Sequence, residues 1–241
     1  MDTCILLKDL SFSINHDEIS KKLNLSRQEN IEIVKKLTKE AKKIVVPKAI
    51  FKECFISERG DNFIVLDGIK FNSRIVSVNL CEENRAFPYI VTCGTEIKHW
   101  SNSKKDKFEK KIAEFIIQEI LIQCLSSLKN HIEKSFTTSK LARVNPGSTI
   151  DWKLNELKNI FSILSDKIKS IEVTLDSTFF MTPDKSNSGI YFHNETDYKN
   201  CYMCSAKDCP LREENYDENY YNRYYERKLE SDKLTTTSNS Y

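Results

Sequence analysis

Arg143-Val144-Asn145-Pro146-Gly147-Ser148, a helical pattern from Asp151 to Leu164, the run Ile171-Glu172-Val173-Thr174-Leu175 and, after Met181 to Gly189, the apolar run Ile190-Tyr191-Phe192 decide the fold class. Leu157, Ile160, Phe161 and Leu164 recur at helical spacing. Residues 171–175 alternate as a half-buried strand should, and Ile190-Tyr191-Phe192 reads as a second strand behind Ser188-Gly189. Between them lies a polar connection in which Gly189 allows tight backbone packing. Strands and helices mix here without regular strand–helix–strand alternation. That implies an α+β fold with an antiparallel sheet.

Upstream, Lys105 to Glu133 is the longest helical pattern. Phe108, Ile112, Phe115, Ile116, Ile120, Cys124, Leu125, Leu128 and Ile132 form a stripe too broad for a two-position coiled-coil seam, so a core helix is expected. Pro88-Tyr89-Ile90-Val91-Thr92 is a compact apolar strand that ends at Gly94. Ser73 to Leu80 predicts a short helix. Ala49 to Ile56 and Phe63 to Leu66 read as strands of a hairpin, with turns at Arg59-Gly60-Asp61 and Asp67-Gly68. Farther back, His16 to Leu23 is a short helix. A longer helix follows, with a capping box at Ser26-Arg27-Gln28-Glu29 and Ile31, Val34, Leu37, Ala41 and Ile44 inward, until Pro47 stops it.

Downstream, residues 1–212 are expected to form one domain. Residues 213–241 are rich in Glu, Asn and Tyr and poor in aliphatic side chains, which predicts a marginal helix followed by a disordered tail. The whole chain has 241 residues, with 37 Lys+Arg against 35 Asp+Glu. A net charge of +2 without a clustered basic excess argues against a nucleic-acid binder. No apolar run approaches the roughly 20 residues needed to cross a bilayer. Met1 to Leu10 shows neither a basic n-region nor a small-residue cleavage site, so a cytoplasmic location is expected. Eight cysteines in such a compartment imply free or metal-bound thiols.

Three features carry possible chemistry. Cys201, Cys204 and Cys209, the last followed by Pro210, place three thiols within nine residues, a set that suits zinc or an iron–sulfur cluster if a fourth ligand joins them. Unligated thiols are the alternative. Arg143 before Pro146-Gly147 offers a permanent, forked cation beside a bend; an ordinary surface turn is the alternative. Met181 to Gly189 sets small hydroxyls and a glycine between two strands, which allows tight backbone packing or contact with an anion; a polar connection is the alternative. Apart from these three, Glu172 and Asp176 would share a strand face and could pair as acid and base. There is no Gly-x-Ser-x-Gly elbow, no His-Glu-x-x-His and no Gly-x-Gly-x-x-Gly.

Taken together, Arg143-x-x-Pro146-Gly147, the helix ending Ile160-Phe161-x-Ile163-Leu164, and Val173-Thr174-Leu175-x-Ser177-x3-Met181-x-Pro183-x-x-Ser186-x-Ser188-Gly189-Ile190-Tyr191-Phe192 resemble the activation domain of cobalamin-dependent methionine synthase, in its short stand-alone form. Phe87 to Gly94 and the run Cys201 to Arg212 are similar to segments of those forms. The resemblance implies a twisted antiparallel sheet flanked by helices. It implies that S-adenosylmethionine binds in a shallow groove, and that its methyl group is presented to the cobalamin of a separate corrinoid methyltransferase for reductive remethylation, with flavodoxin or ferredoxin as electron donor. On this resemblance Arg143 holds the methionine carboxylate, Asn145, Pro146 and Gly147 contact the ligand through their backbone, and Tyr198 lies at a ligand-contacting position. Two departures stand out: Ser148 replaces a tyrosine after the glycine, and Gln123 stands where an acid is expected on the long helix. A non-catalytic, metal-containing module that binds cobalamin or docks on a corrinoid protein is the alternative.

Overall fold

The computed structural model of the chain describes residues 4–138, 140–149, 151–195, 198–207, 209 and 211–223. Pro210 and the tail from 224 onward lie outside the described residues. In chain order the elements are β1 (Ile5–Leu7), α1 (His16–Lys22), α2 (Gln28–Ile44), β2 (Lys48–Phe51), β3 (Cys54–Gly60), β4 (Phe63–Leu66), β5 (Ile69–Asn72), α3 (Arg74–Asn79) and β6 (Arg85–Thr92). Then follow α4 (Thr95–Asn102), α5 (Lys107–Ser135), β7 (Leu141–Val144), α6 (Leu157–Ile163), β8 (Thr174–Leu175), β9 (Met181–Thr182) and β10 (Ser186–His193).

Eight of the strands form one sheet in which every pairing is antiparallel. This is the expected α+β class. β6 is the centre: β10 runs along one side, and β2 and then β3 along the other. The partners Phe51↔Tyr89 and Cys54↔Ala86 keep one register, so β2 and β3 are a single line broken at Lys52. The break has a covalent cause. Lys52 N–H donates to the Pro88 carbonyl at 3.1 Å, but Pro88 has no N–H to return the bond. The single strand expected over Ala49 to Ile56 is therefore two, and it runs on through Arg59-Gly60 to a turn at Asp61-Asn62.

Alternation along β6 sorts the core into two layers. Phe87, Tyr89 and Val91 face a cluster built by α1, α2, α4 and α5; Ala86 and Ile90 face one built by α3, α6, β4 and β5. Helices on both faces explain why β6 is apolar almost throughout. α5 carries eleven buried residues, among them Ile116, Ile120, Cys124 and Leu128, and is the core helix its stripe predicts.

Local details differ from the sequence reading. The cap of α2 is Arg27 and makes no side-chain capping bond, so the Ser26 capping box does not form. β5 and α4 fall in stretches to which the sequence reading assigned no element. The helix expected from Asp151 begins as a 3-10 turn at Leu154–Glu156. The strand expected over 171–175 is reduced to two residues, because Ile168–Ile171 is a 3-10 turn and Glu172 takes a left-handed φ of 56°. Residues 213–223 continue beside the sheet, with Tyr220 and Tyr221 against the α3/α6 layer and the Tyr220 ring 4.8 Å from Tyr202.

Candidate functional site

The site lies where β7 meets β10. Arg143 was expected in a loop, but it is the third residue of β7. Leu141 and Val144 are buried on opposite sheet faces, and burying both holds this short segment as a strand. Register puts Arg143 opposite Tyr191, so both side chains rise on the α5 side. The Tyr191 ring stacks on Tyr89 at 4.5 Å and 28°, and its hydroxyl donates to the Leu125 carbonyl of α5 at 3.2 Å. Burial pushes both phenols up in pKa, so they stay neutral hydrogen-bonding groups. The Arg143 side chain is only 20% exposed, and its Nη2 donates to Glu213 Oε1 at 2.6 Å. Burial opposes the guanidinium charge, and the Glu213 carboxylate beside it helps to keep the group charged.

Asn145 follows directly. Its Nδ2 lies 2.7 Å from the Ser188 carbonyl, 3.0 Å from Tyr89 Oη and 3.1 Å from Asn187 Oδ1, while Tyr89 Oη donates to Asn187 Oδ1 at 2.8 Å. This polar floor closes over Gly189. A Cβ there would come within 2.4 Å of the Val144 carbonyl and 2.6 Å of Asn145 Nδ2. Pro146 and Gly147, from which ligand contact was expected, are not among the residues lining the cleft. Gly147 has a φ of 79°, and its N–H is spent on the Trp152 carbonyl at 2.7 Å. Pro146 has no N–H to offer. Together they turn the chain, leaving Asn145 and Ser148 on the cleft side.

A cleft of about 710 Å³ opens over this floor, within the range of small-molecule sites. Arg143, Asn145, Tyr198, Cys201, Cys204 and Cys209 all line it; α5 contributes Leu125, Ser126 and Lys129. Tyr198 is 4% exposed, tilts against Phe192 at 5.7 Å and donates to Asn200 Oδ1 at 3.2 Å, so it offers the cleft an edge rather than a free hydroxyl. Five cations line the cleft against two carboxylates, Glu195 and Glu213.

The cysteines share one wall of the cleft. Cys201 sits on a 3-10 turn, Asn200–Met203, and its sulfur accepts the Glu213 N–H at 3.4 Å. Cys204 caps that turn. Among the described residues no three His, Cys, Asp or Glu side chains converge to hold a metal ion. The expected zinc or iron–sulfur site is thus not assembled by the described thiols. Glu172 and Asp176 do not pair either: Glu172 holds Lys48 at 2.7 Å, and Asp176 accepts from Thr178 and Phe180 N–H groups in its own turn. Gln123 accepts the Ser13 N–H at 2.6 Å, which gives it a structural partner, and it is not among the residues lining the cleft.

No family model and no curated protein matches the sequence. A solved structure does match: the crystal structure of the MetH reactivation domain bound to AdoHcy superposes with a TM-score of 0.57, covering 81% of this chain and 80% of its own at 14% identity. The chain has the fold of the MetH reactivation domain. On that fold the sequence pointed to Arg143, Asn145, Tyr198 and the cysteines, all of which meet at one cleft. It missed Tyr89, Asn187 and Glu213. The Arg143↔Tyr191 register would have brought in Tyr89 through the stack, but Glu213 is joined to the site only by tertiary packing, 70 residues beyond Arg143.

Proposed function

We propose that this chain binds S-adenosylmethionine in the β7–β10 cleft and presents its methyl group to the corrinoid of a separate cobalamin-dependent methyltransferase, of the methionine synthase type, as a reactivation protein. The observation that carries the reading is Arg143. It is a largely buried guanidinium that already grips a carboxylate, in a cleft of ligand size, on the MetH reactivation-domain fold. The solved neighbour bound to AdoHcy supports the choice of ligand class.

In this reading a reduced corrinoid on the partner would supply the nucleophile, with a flavodoxin or ferredoxin as the electron donor. The chain needs no general base of its own. Its work is positioning. Arg143 takes the methionine carboxylate, the neutral Tyr89–Asn145–Asn187 network offers uncharged donors and acceptors beside it, and Tyr198 walls the cleft. No helix among the described residues is long and apolar enough to cross a membrane.

Calorimetric titration with AdoHcy tests the reading. The wild type is expected to bind one equivalent. Arg143→Ala removes one partner of a largely buried charge pair, a loss of about 2–5 kcal/mol or at least roughly 30-fold in affinity. Undiminished binding by a folded Arg143→Ala protein would refute the assignment.

A further inference from the structure

Resting on that reading, we infer that Glu213 is a built-in competitor for the ligand's carboxylate, closing the Arg143 subsite to all but ligands that bring further contacts. The pair is asymmetric. The Arg143 side chain is 20% exposed, whereas that of Glu213 is 64% exposed. A largely desolvated cation is thus met by an acid reaching in from the surface. A guanidinium so placed is costly without a partner, and without ligand Glu213 supplies one.

The backbone on either side of Glu213 is stapled. Its own N–H rests on Cys201 Sγ at 3.4 Å. Arg212 donates to the carbonyls of Cys204 at 3.1 Å and Glu214 at 3.0 Å, and Lys199 pairs with the Glu214 carboxylate at 2.5 Å. Opening therefore needs no release of the segment. Rotation of the Glu213 side chain moves its carboxylate into solvent while the staples hold. A tethered carboxylate acts at an effective concentration of order millimolar. Small free carboxylates do not displace it, whereas a ligand that also contacts Asn145 and the cleft walls does. Glu213 thereby lowers the affinity of every carboxylate ligand by one common factor and admits those with binding free energy in excess of it.

The test is calorimetric titration of AdoHcy, and separately of free methionine, into wild type, Glu213→Gln and Glu213→Ala. Both variants should stay folded and melt only a few degrees below wild type, since the guanidinium loses a partner that is itself exposed. AdoHcy is expected to bind Glu213→Ala about three- to tenfold more tightly than wild type, the range of a partly exposed ion pair of about 0.7–1.4 kcal/mol. Glu213→Gln should fall between them, and methionine binding should strengthen by the same factor. If wild type binds AdoHcy and both variants bind it equally or more weakly, the competitor role is overturned while the ligand reading stands. If neither wild type nor any variant binds AdoHcy, both are overturned.

Discussion

Gly189→Ala is the sharpest structural perturbation of the site, because one methyl group meets three of its parts. Built on the β10 backbone, the new Cβ would lie 2.4 Å from the Val144 carbonyl, 2.6 Å from Asn145 Nδ2 and 3.1 Å from Tyr89 Oη. The last two are side-chain ends and can swing away. The first is backbone and cannot be relieved by a rotamer. A carbon–oxygen contact wants about 3.3 Å or more, so β7 must retreat from β10 by up to roughly 1 Å. That retreat strains the Ile190↔Val144 and Tyr191↔Arg143 pairings, which set where the guanidinium points. Overpacking of this kind costs about 1–3 kcal/mol. For a chain of this size that is a fall in melting temperature of roughly 2–12 °C. Circular dichroism melting combined with AdoHcy titration reads both effects: lower stability, and affinity reduced at least several-fold. A Gly189→Ala protein that melts like wild type and binds AdoHcy like wild type would refute the argument that this close approach builds the cleft floor.

Two further outcomes follow from the packing. Glu40 accepts Lys104 Nζ at 2.5 Å and Trp100 Nε1 at 2.8 Å, and chiefly the Lys104 bond holds its pKa below the usual carboxylate value. A depressed folded-state pKa contributes stability above the unfolded value, lost as pH falls through the folded one. Wild type should therefore lose stability on acidification below about pH 4.5 more steeply than Glu40→Gln; identical slopes would contradict this role. Thiol reactivity should split in two. Cys4, Cys54, Cys93 and Cys124 are buried, and burial pushes all four thiols up, Cys4 and Cys124 to about 12. With a chromogenic disulfide, fast labelling in native buffer should stop at Cys81, Cys201, Cys204 and Cys209, with the rest appearing only on denaturation; a fifth fast thiol would show that the core opens.

Legibility followed the range over which each feature is encoded. α5 and α2 were readable because their stripes repeat over several turns, and their burial follows that pattern. Ser73 before α3 was readable because its side chain accepts the Val76 N–H at 3.1 Å, a bond made three residues away. Elements set by pairing were not. β7 is four residues long and has an arginine in its middle, and only β10 makes it a strand. α4 is polar along Glu96, Lys98 and His99, and shows its apolar side only where Ile97 and Trp100 meet the α5 layer. β5 alternates over too few residues to separate from the turn before it. The glycine at 189 could be read as permitting close backbone approach, but what approaches it, Asn145 and Val144, lies some 45 residues earlier in the chain. Pro146-Gly147 illustrates the converse. The local signal for a bend was sound, yet the groups freed by that bend belong to their neighbours, because Gly147 spends its own N–H on Trp152.

A crystal structure grown with saturating AdoHcy puts the central claim to its most direct trial. The account predicts the ligand's carboxylate on the Arg143 guanidinium, its amino-acid end over Asn145, and the Glu213 side chain turned out to solvent. AdoHcy bound elsewhere, with Arg143 still holding Glu213, would contradict it.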